Sequence, residues 1–415
     1  MAEPKRPMAT QLGSADSSAS LGLLLSDGRL TTMLIKQMLS AESAQDRLAR
    51  LLSTAGITLN GASDIDIQIK HPQACARILS QGSIGLGESY VDGWWDCTRV
   101  DELICRILRL QLNKHAKSPA SLLLKLKSTL INPQSIRRAW QVAKEHYNLD
   151  NELFFQMLDP SMAYSCAYWH QARDLAQAQH NKLELICRKL QLQPGMRMLD
   201  IGCGWGSLMI HASLHHQVQC VGITVSSEQV QWAREKSMSE NLEFVLTDYR
   251  LFNVDGGQKF DRIASVGMFE HVGRKNYNEF FKMARRSITD DGLFLLHTIG
   301  KNITGDGPDP WIERYIFPNG VTPSPSEIST ACEKYFVVED LHNFGADYDR
   351  TLMAWLERFD AAWPQLQKRY AERFRRMWRY YLMACAGSFR ARHNQLWQWV
   401  LSPRGVMGGY RRPSF

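Results

Sequence analysis

No run in this 415-residue chain approaches the ~18–20 consecutive apolar residues of a membrane span. After Lys5 and Arg6 the only apolar run is Leu21 to Leu25, too short for a signal-peptide core, so a cytoplasmic protein is expected. The nine cysteines include no CxxC pair and are odd in number. That argues for reduced thiols, and no zinc framework is visible. Internal repeats are absent as well. Acid is scarce at one end: from Leu366 to Phe415 the cations Lys368, Arg369, Arg373, Arg375, Arg376, Arg379, Arg390, Arg392, Arg404, Arg411 and Arg412 face the single acid Glu372. Aromatic residues are interleaved with them. Basic plus aromatic suits an anionic bilayer or a nucleic acid. The competing reading is a solvated helix whose aromatics are core.

What is present divides the chain. Residues 1–42, with "GSADSSAS", read as a disordered extension containing an amphipathic segment at "LTTMLIKQML". Residues 43–112 read as a small α+β domain. There "GITLNG" and "DIDIQIK" alternate like half-buried strands, and "HPQACARILSQG" has the Pro and Gly that bracket a helix. "GSIGLGESYVDGWW" reads as loop packing. Residues 113–145 form a basic linker with Lys114, Lys117, Lys125, Lys127, Arg137 and Arg138. It is either an inter-domain helix or a helix lying on a membrane.

Residues 146–415 read as one catalytic domain. Strands are expected at 197–202, 217–224, 243–248, 261–269 and 292–299, with helices at 206–216, 226–240 and 275–288. This alternation predicts an α/β, doubly wound, mostly parallel sheet. A long basic helix or helical pair is expected over 349–400.

The strongest motif is "MRMLDIGCGWGSLMIHAS". A strand ends in Asp200, and Gly202, Gly204 and Gly206 lead into a helix whose free N–H groups face the loop. Both NAD and S-adenosylmethionine (SAM) sites share this layout. A NAD site needs an acid ~20 residues past the glycines, where "GITVSSEQ" offers Thr224 instead, and Ser207 stands where GxGxxG needs its last Gly. The acid comes after the third strand, as Asp248 in "VLTDYR", placed to accept from an adenine amino group. SAM is the expected cofactor.

Beyond the fold pattern, "YSCAYW", "LDIGCGWGS", "GITVSSEQ", "SVGMFEHVG", "LLHTIG", "DPWIERYIFPNG", "HNFGADYDRTLMAW" and "CAGSFRAR" resemble, in order and spacing, the cyclopropane-fatty-acyl-phospholipid synthases, relatives of the mycolic acid cyclopropane synthases. The likeness runs from about Gly56 to Trp397. It implies a Rossmann-like methyltransferase domain with added C-terminal helices. It also implies transfer of the SAM methyl to a cis double bond in a phospholipid acyl chain, and loss of a proton from the carbocation to bound bicarbonate to close a cyclopropane ring. A branching methyltransferase, leaving a methyl or methylene branch, is the alternative. The resemblance further implies a homodimer bound peripherally to the inner face of the membrane. No RNA- or DNA-binding module is visible, so no nucleic-acid partner is expected.

By resemblance, Cys166, Glu270, His297, Tyr348 and the backbone N–H of Ile299 hold the bicarbonate. Tyr164, Ser165, Gly202, Cys203, Gly204, Trp205, Gly206, Thr224, Gln229, Asp248 and Tyr249 hold SAM. The chemistry is coherent: His and Tyr donate to an anion and a carboxylate accepts its hydroxyl. Read alone, each residue has a structural alternative: a helix-cap acid, a satisfied core histidine, a buried Tyr or a small buried Cys. His271 has no assigned role and reads as structural or as a support just behind the site. Cys385 matches a cysteine designated as an active-site residue in the family. Methyl transfer straight to the alkene needs no thiolate, so it is expected beside the lipid channel and dispensable.

Overall fold

The computed structural model describes residues 43–114, 151–237, 239–252, 259–305 and 307–414. The extension expected over 1–42 and nearly all of the basic linker lie outside the described residues. The chain divides into two units, Met1–Arg47 and Leu48–Phe415, and everything below concerns the second.

Helix α1 (Ala44–Ser53) crosses that division and is followed by β1 (Gln68–Ile69), α2 (Ala74–Gln81), α3 (Ser83–Val91), β2 (Trp95–Asp96) and α4 (Val100–Arg109). The expected strands shrink to an isolated bridge between Leu59 and Ile67 and the two-residue pair β1–β2. The Gly-rich "GSIGLGESYV", expected as a loop, is helix α3. Its glycines serve close packing: a Cβ on Gly85 would lie 2.2 Å from the Arg77 carbonyl, and one on Gly87 2.4 Å from Trp311. Glycine's poor helix propensity misleads here because contact outweighs it.

The rest comprises α5 (Asn151–Met157), α6 (Leu175–Lys189), β3 (Arg197–Ile201), α7 (Ser207–His216), β4 (Gln219–Thr224), α8 (Ser227–Lys236), β5 (Leu242–Leu246) and β6 (Phe260–Val266). Then come α9 (Tyr277–Ser287), β7 (Ile288–Gly300), α10 (Pro310–Tyr315), α11 (Pro325–Cys332), β8 (Val337–Asn343), α12 (Ala346–Leu366), α13 (Glu372–Arg390) and β9 (Gln395–Ser402). The main sheet runs β5-β4-β3-β6-β7-β9-β8. Five strands, β3 to β7, pair in parallel, and β9 runs antiparallel between β7 and β8. The chain reverses direction across the sheet at β3, which opens a crevice beyond the strand ends between β3 and β6. Its two faces are covered by separate apolar clusters, one centred on Phe269, Phe280, Phe281 and Phe294, the other on Ile186, Met198, Met209 and Leu295.

The helical pair expected over 349–400 is α12 and α13, but 395–400 belong to strand β9. "QLWQWVLS" is buried on both faces and so shows none of the alternation that marks a half-exposed strand. The basic stretch is also committed internally. Arg390 meets Asp101, Glu102 and Asp349, Arg376 meets Asp96, Arg373 meets Asp92 and Arg379 meets Asp360. Trp378, Tyr380, Tyr381, Phe389, Trp397 and Trp399 are core. Arg373, Arg376 and Arg390 lash α13 to the segment around α3 and α4, and Arg379 ties it to α12. Gly387 lets α13 and α4 touch, since a Cβ there would lie 2.2 Å from the Asp101 carbonyl.

Candidate active site

The glycine loop takes the left-handed backbone its residues allow, with φ +84° at Gly202, +55° at Gly204 and +85° at Gly206. Met268 sits 2.6 Å from where a Gly202 Cβ would be, and Phe244 2.8 Å from a Gly206 Cβ, whereas a Gly204 Cβ would meet nothing. Gly206 ends the turn as the residue before α7. Beyond the loop lies a cleft lined by every residue expected to hold SAM except Gly206 itself. Thr224 donates to Gln229 Oε1 (3.1 Å), and Ser226 caps α8 through the Gln229 N–H. Asp248 is gripped by Arg250, which donates to Oδ1 from Nε (2.8 Å) and to Oδ2 from a terminal nitrogen (2.7 Å).

The cleft contains residues the sequence reading left out. Lys182 of α6 is buried and donates to Ser165 Oγ (3.0 Å). Burial lowers its pKa to about 8. Asp200 is pushed up to about 7 by burial, partly opposed by Lys182, and its Oδ1 has no partner among the described residues. An acid and a lysine of this kind suit the zwitterionic end of an amino acid, so the cleft fits SAM. Asp200 was visible as the acid ending a strand before the glycines, but Lys182 looks like any helix lysine. His271 lines the cleft too, with its pKa lowered to about 4 by burial.

Behind this wall lies a second, buried group. Cleft residues Ser165 and His271 are chain neighbours of Cys166 and Glu270. Glu270 follows β6 in a short 3-10 turn, Phe269–His271. Its Oε1 accepts the Ile299 N–H at 2.6 Å, while Oε2 is buried without a partner among the described residues. Burial raises its pKa to about 7, opposed by that N–H. The Ile299 N–H, expected to hold an anion, is thus already bonded to Glu270 and positions the carboxylate.

His297 lies two residues before Ile299 on β7. Gln398, its register partner on β9, donates from Nε2 to His297 Nδ1 (3.2 Å). Burial holds the imidazole well below its usual pKa, so it is neutral and carries its proton on Nε2. That Nε2 is also buried and unpartnered among the described residues. Gln398 is the second contact residue that the sequence reading left out, hidden because its strand was read as helix. Tyr348, near the start of α12, is buried close enough to Cys166, Tyr164, Glu270 and Cys385 for each to raise its pKa, after burial itself. Cys166 is fully buried, and burial keeps it a thiol that donates to the Ala167 carbonyl (3.3 Å). Tyr164 shares a 2.8 Å hydroxyl contact with Tyr381. Cys385 of α13 also has its pKa raised by burial, so it too stays a thiol.

The chain has relatives of known family. The family described as mycolic acid cyclopropane synthetase matches residues 134–399. The cyclopropane-fatty-acyl-phospholipid synthase of Escherichia coli (strain K12) is 53% identical over 365 residues, covering 87% of this chain and 94% of that one. The chain belongs to this cyclopropane synthase family. It is an enzyme of the SAM-dependent methyltransferase class, and its sheet is the methyltransferase sheet. A cyclopropane synthase structure from Mycobacterium tuberculosis aligns with TM-score 0.59 at 30% identity, over 63% of this chain and 97% of that one. A mycolic acid cyclopropane synthase complexed with SAH gives the same score at 31% identity over the same shares. Among the described residues no helix is long and apolar enough to cross a membrane.

Proposed function

We propose that this enzyme adds the methyl carbon of SAM across the cis double bond of an acyl chain in a membrane phospholipid, closing a cyclopropane ring. SAM supplies an electrophilic methyl on a sulfonium. The chain's part is to align that methyl with the alkene and keep water from the cation. The glycine loop, Asp200 and Lys182 would hold the cofactor, with Thr224, Gln229 and Asp248 at its far end.

The observation that carries the reading is the pair of orphaned buried atoms, Glu270 Oε2 and His297 Nε2. One accepts and the other donates. Together with the Tyr348 hydroxyl and the Cys166 thiol they would suit bicarbonate, a small anion with both an acceptor face and a hydroxyl. When bound, that anion would supply a base close to the proton that must leave. The residues hold it, orient it and exclude water, and none needs to become a nucleophile.

In this reading residues 43–112 form the small domain braced by α13, and 146–415 the catalytic domain. The protein works as a homodimer attached to the inner, cytoplasmic face of the membrane. Purified protein, SAM and vesicles of a monounsaturated phospholipid form the test, with products analysed by mass and proton NMR. High-field ring-methylene protons with loss of the olefinic signal are expected. Vinylidene protons at the same mass gain would instead identify a branching methyltransferase, and an unchanged lipid would overturn the substrate class.

A further inference from the structure

Away from the cleft, where α6 packs on α7, the chain collects histidines: His180 on α6, and His211, His215 and His216 on α7. Glu184 stands between two of them. Its Oε2 accepts from His211 Nε2 at 3.2 Å and from His216 Nε2 at 3.1 Å, while Oε1 takes Arg188 Nε at 2.8 Å. One turn further along α6, the Cys187 thiol completes the group: its sulfur and one ring nitrogen each of His211 and His216 lie within 4.8 Å of one another. Cys187 and His211 are buried, and His216 and Glu184 keep about a fifth of their side-chain surface exposed (18% and 20%), which leaves an entrance.

A carboxylate bonded to two imidazoles would be satisfied without a thiol. The sulfur makes the difference, because thiolate, two imidazoles and a carboxylate form a four-donor set of the kind zinc accepts. Tetrahedral zinc with bonds of ~2.0–2.3 Å places its ligand atoms about 3.5 Å apart, so the sulfur and nitrogens need move little. The charges match as well: deprotonated Cys187 and Glu184 neutralise a dication, and the thiol proton is released to solvent. Arg188 would hold the carboxylate from behind.

We propose that Cys187, His211, His216 and Glu184 form a binding site for one zinc-type divalent cation, distinct from the cofactor cleft. The site joins two helices that also build the cleft. Lys182, Leu183 and Ile186 of α6 line it, and α7 begins at the glycine loop. A bound ion therefore staples the support of the cofactor loop from the far side.

The experiment uses full-length protein stripped with chelator and titrated with cobalt(II), then with zinc in competition. One equivalent of cobalt is expected, with the intense visible bands of a tetrahedral site and a thiolate-to-metal charge-transfer band, all lost to zinc. Cys187→Ser should remove the charge-transfer band, and the double variant H211Q/H216Q should weaken zinc binding more than ~100-fold. His215→Gln, which changes a neighbour outside the donor set, should leave binding intact. Zinc should raise the Tm of the wild type but not that of H211Q/H216Q. Absence of a saturable equivalent, or binding untouched by both Cys187→Ser and H211Q/H216Q, would overturn the site. Should the double variant not fold, the near-isosteric Cys187→Ser decides through the charge-transfer band.

Discussion

The cofactor cleft is shaped by backbone, whereas the pocket behind it is shaped by side chains that the core has nearly closed over. In the cleft, three glycines hold positive φ, and the side chains around them, Lys182, Asp200, Gln229 and Asp248 among them, line an opening although little of each is exposed. In the pocket, Glu270, His297, Tyr348 and Cys166 are buried, and two of their polar atoms lack a partner among the described residues. Burying such atoms unpaired costs about 1–3 kcal/mol each. On the proposed function, a chain that keeps both gains something other than stability from them. The cleft should thus govern binding and the pocket should govern the chemical step.

The sharpest way to break that division is Glu270→Gln. The amide keeps the shape and the Ile299 contact is replaceable, but the second carboxylate acceptor, which the proposed function assigns to orienting an anion, is gone. A loss of kcat of about 10³-fold is expected, with SAM affinity by calorimetry unchanged. A variant that instead lost SAM binding would place Glu270 in the cleft's half of the division.

The same substitution has a stability signature. Glu270 titrates near 7 in the fold because burial disfavours its charge, against 4.5 unfolded. The folded state therefore binds the proton more tightly. The associated stability is fully present below about pH 4.5 and is lost as pH rises through about 7. A shift of this size is worth about 3 kcal/mol. Relative to wild type, Glu270→Gln should gain Tm steadily between pH 4.5 and 7 and then level off. A parallel pair of Tm curves would mean that the carboxyl is not desolvated.

How much of this was legible before the structure follows the same division. The loop from Asp200 to Gly206 announces itself because turns and close approach demand glycine locally, and the parallel strands announce themselves by period. Of the four polar residues of the pocket, Glu270 and His297 stood out by their place at strand ends, while Cys166 and Tyr348 were named through resemblance, since a lone buried Cys or Tyr has no local signature. Gln398 and Lys182 were missed for one reason. Their roles come from pairing across the sheet or from burial of one helix face, and neither leaves a mark in a short window. The Gly-rich α3 was misread because its glycines answer to Arg77 and Trp311, distant or tertiary partners that propensity does not contain. The basic C-terminal region was misleading in a similar way: its charge looks free until Asp92, Asp96, Asp101 and Asp360 are seen opposite it.

Within the cleft, two glycines allow a finer cut. Gly206→Ala meets both a left-handed backbone, φ +85°, and the Phe244 ring 2.8 Å from the new Cβ. Gly204→Ala meets only the backbone penalty, about 1–2 kcal/mol, because its Cβ enters open space. Gly206→Ala should therefore lower Tm more than Gly204→Ala. Gly204→Ala, whose methyl projects beside the cleft, should weaken SAM binding with a smaller change in Tm. Equal effects on both quantities would mean that the loop tolerates rearrangement.

The smallest effect is expected at Cys385. It lies near Tyr348, Tyr380 and Tyr381, each of whose hydroxyls it influences, yet its own thiol is kept protonated by burial. A methyl that passes straight from sulfonium to alkene leaves no covalent step for a thiolate to serve. Cys385→Ala should hold kcat within about threefold of wild type, the loss reflecting packing around the tyrosines. If it instead fell as far as Glu270→Gln, with SAM binding intact, the chemical half of the molecule would extend from the pocket onto α13, and the direct-transfer route would have to give way to one that uses the sulfur.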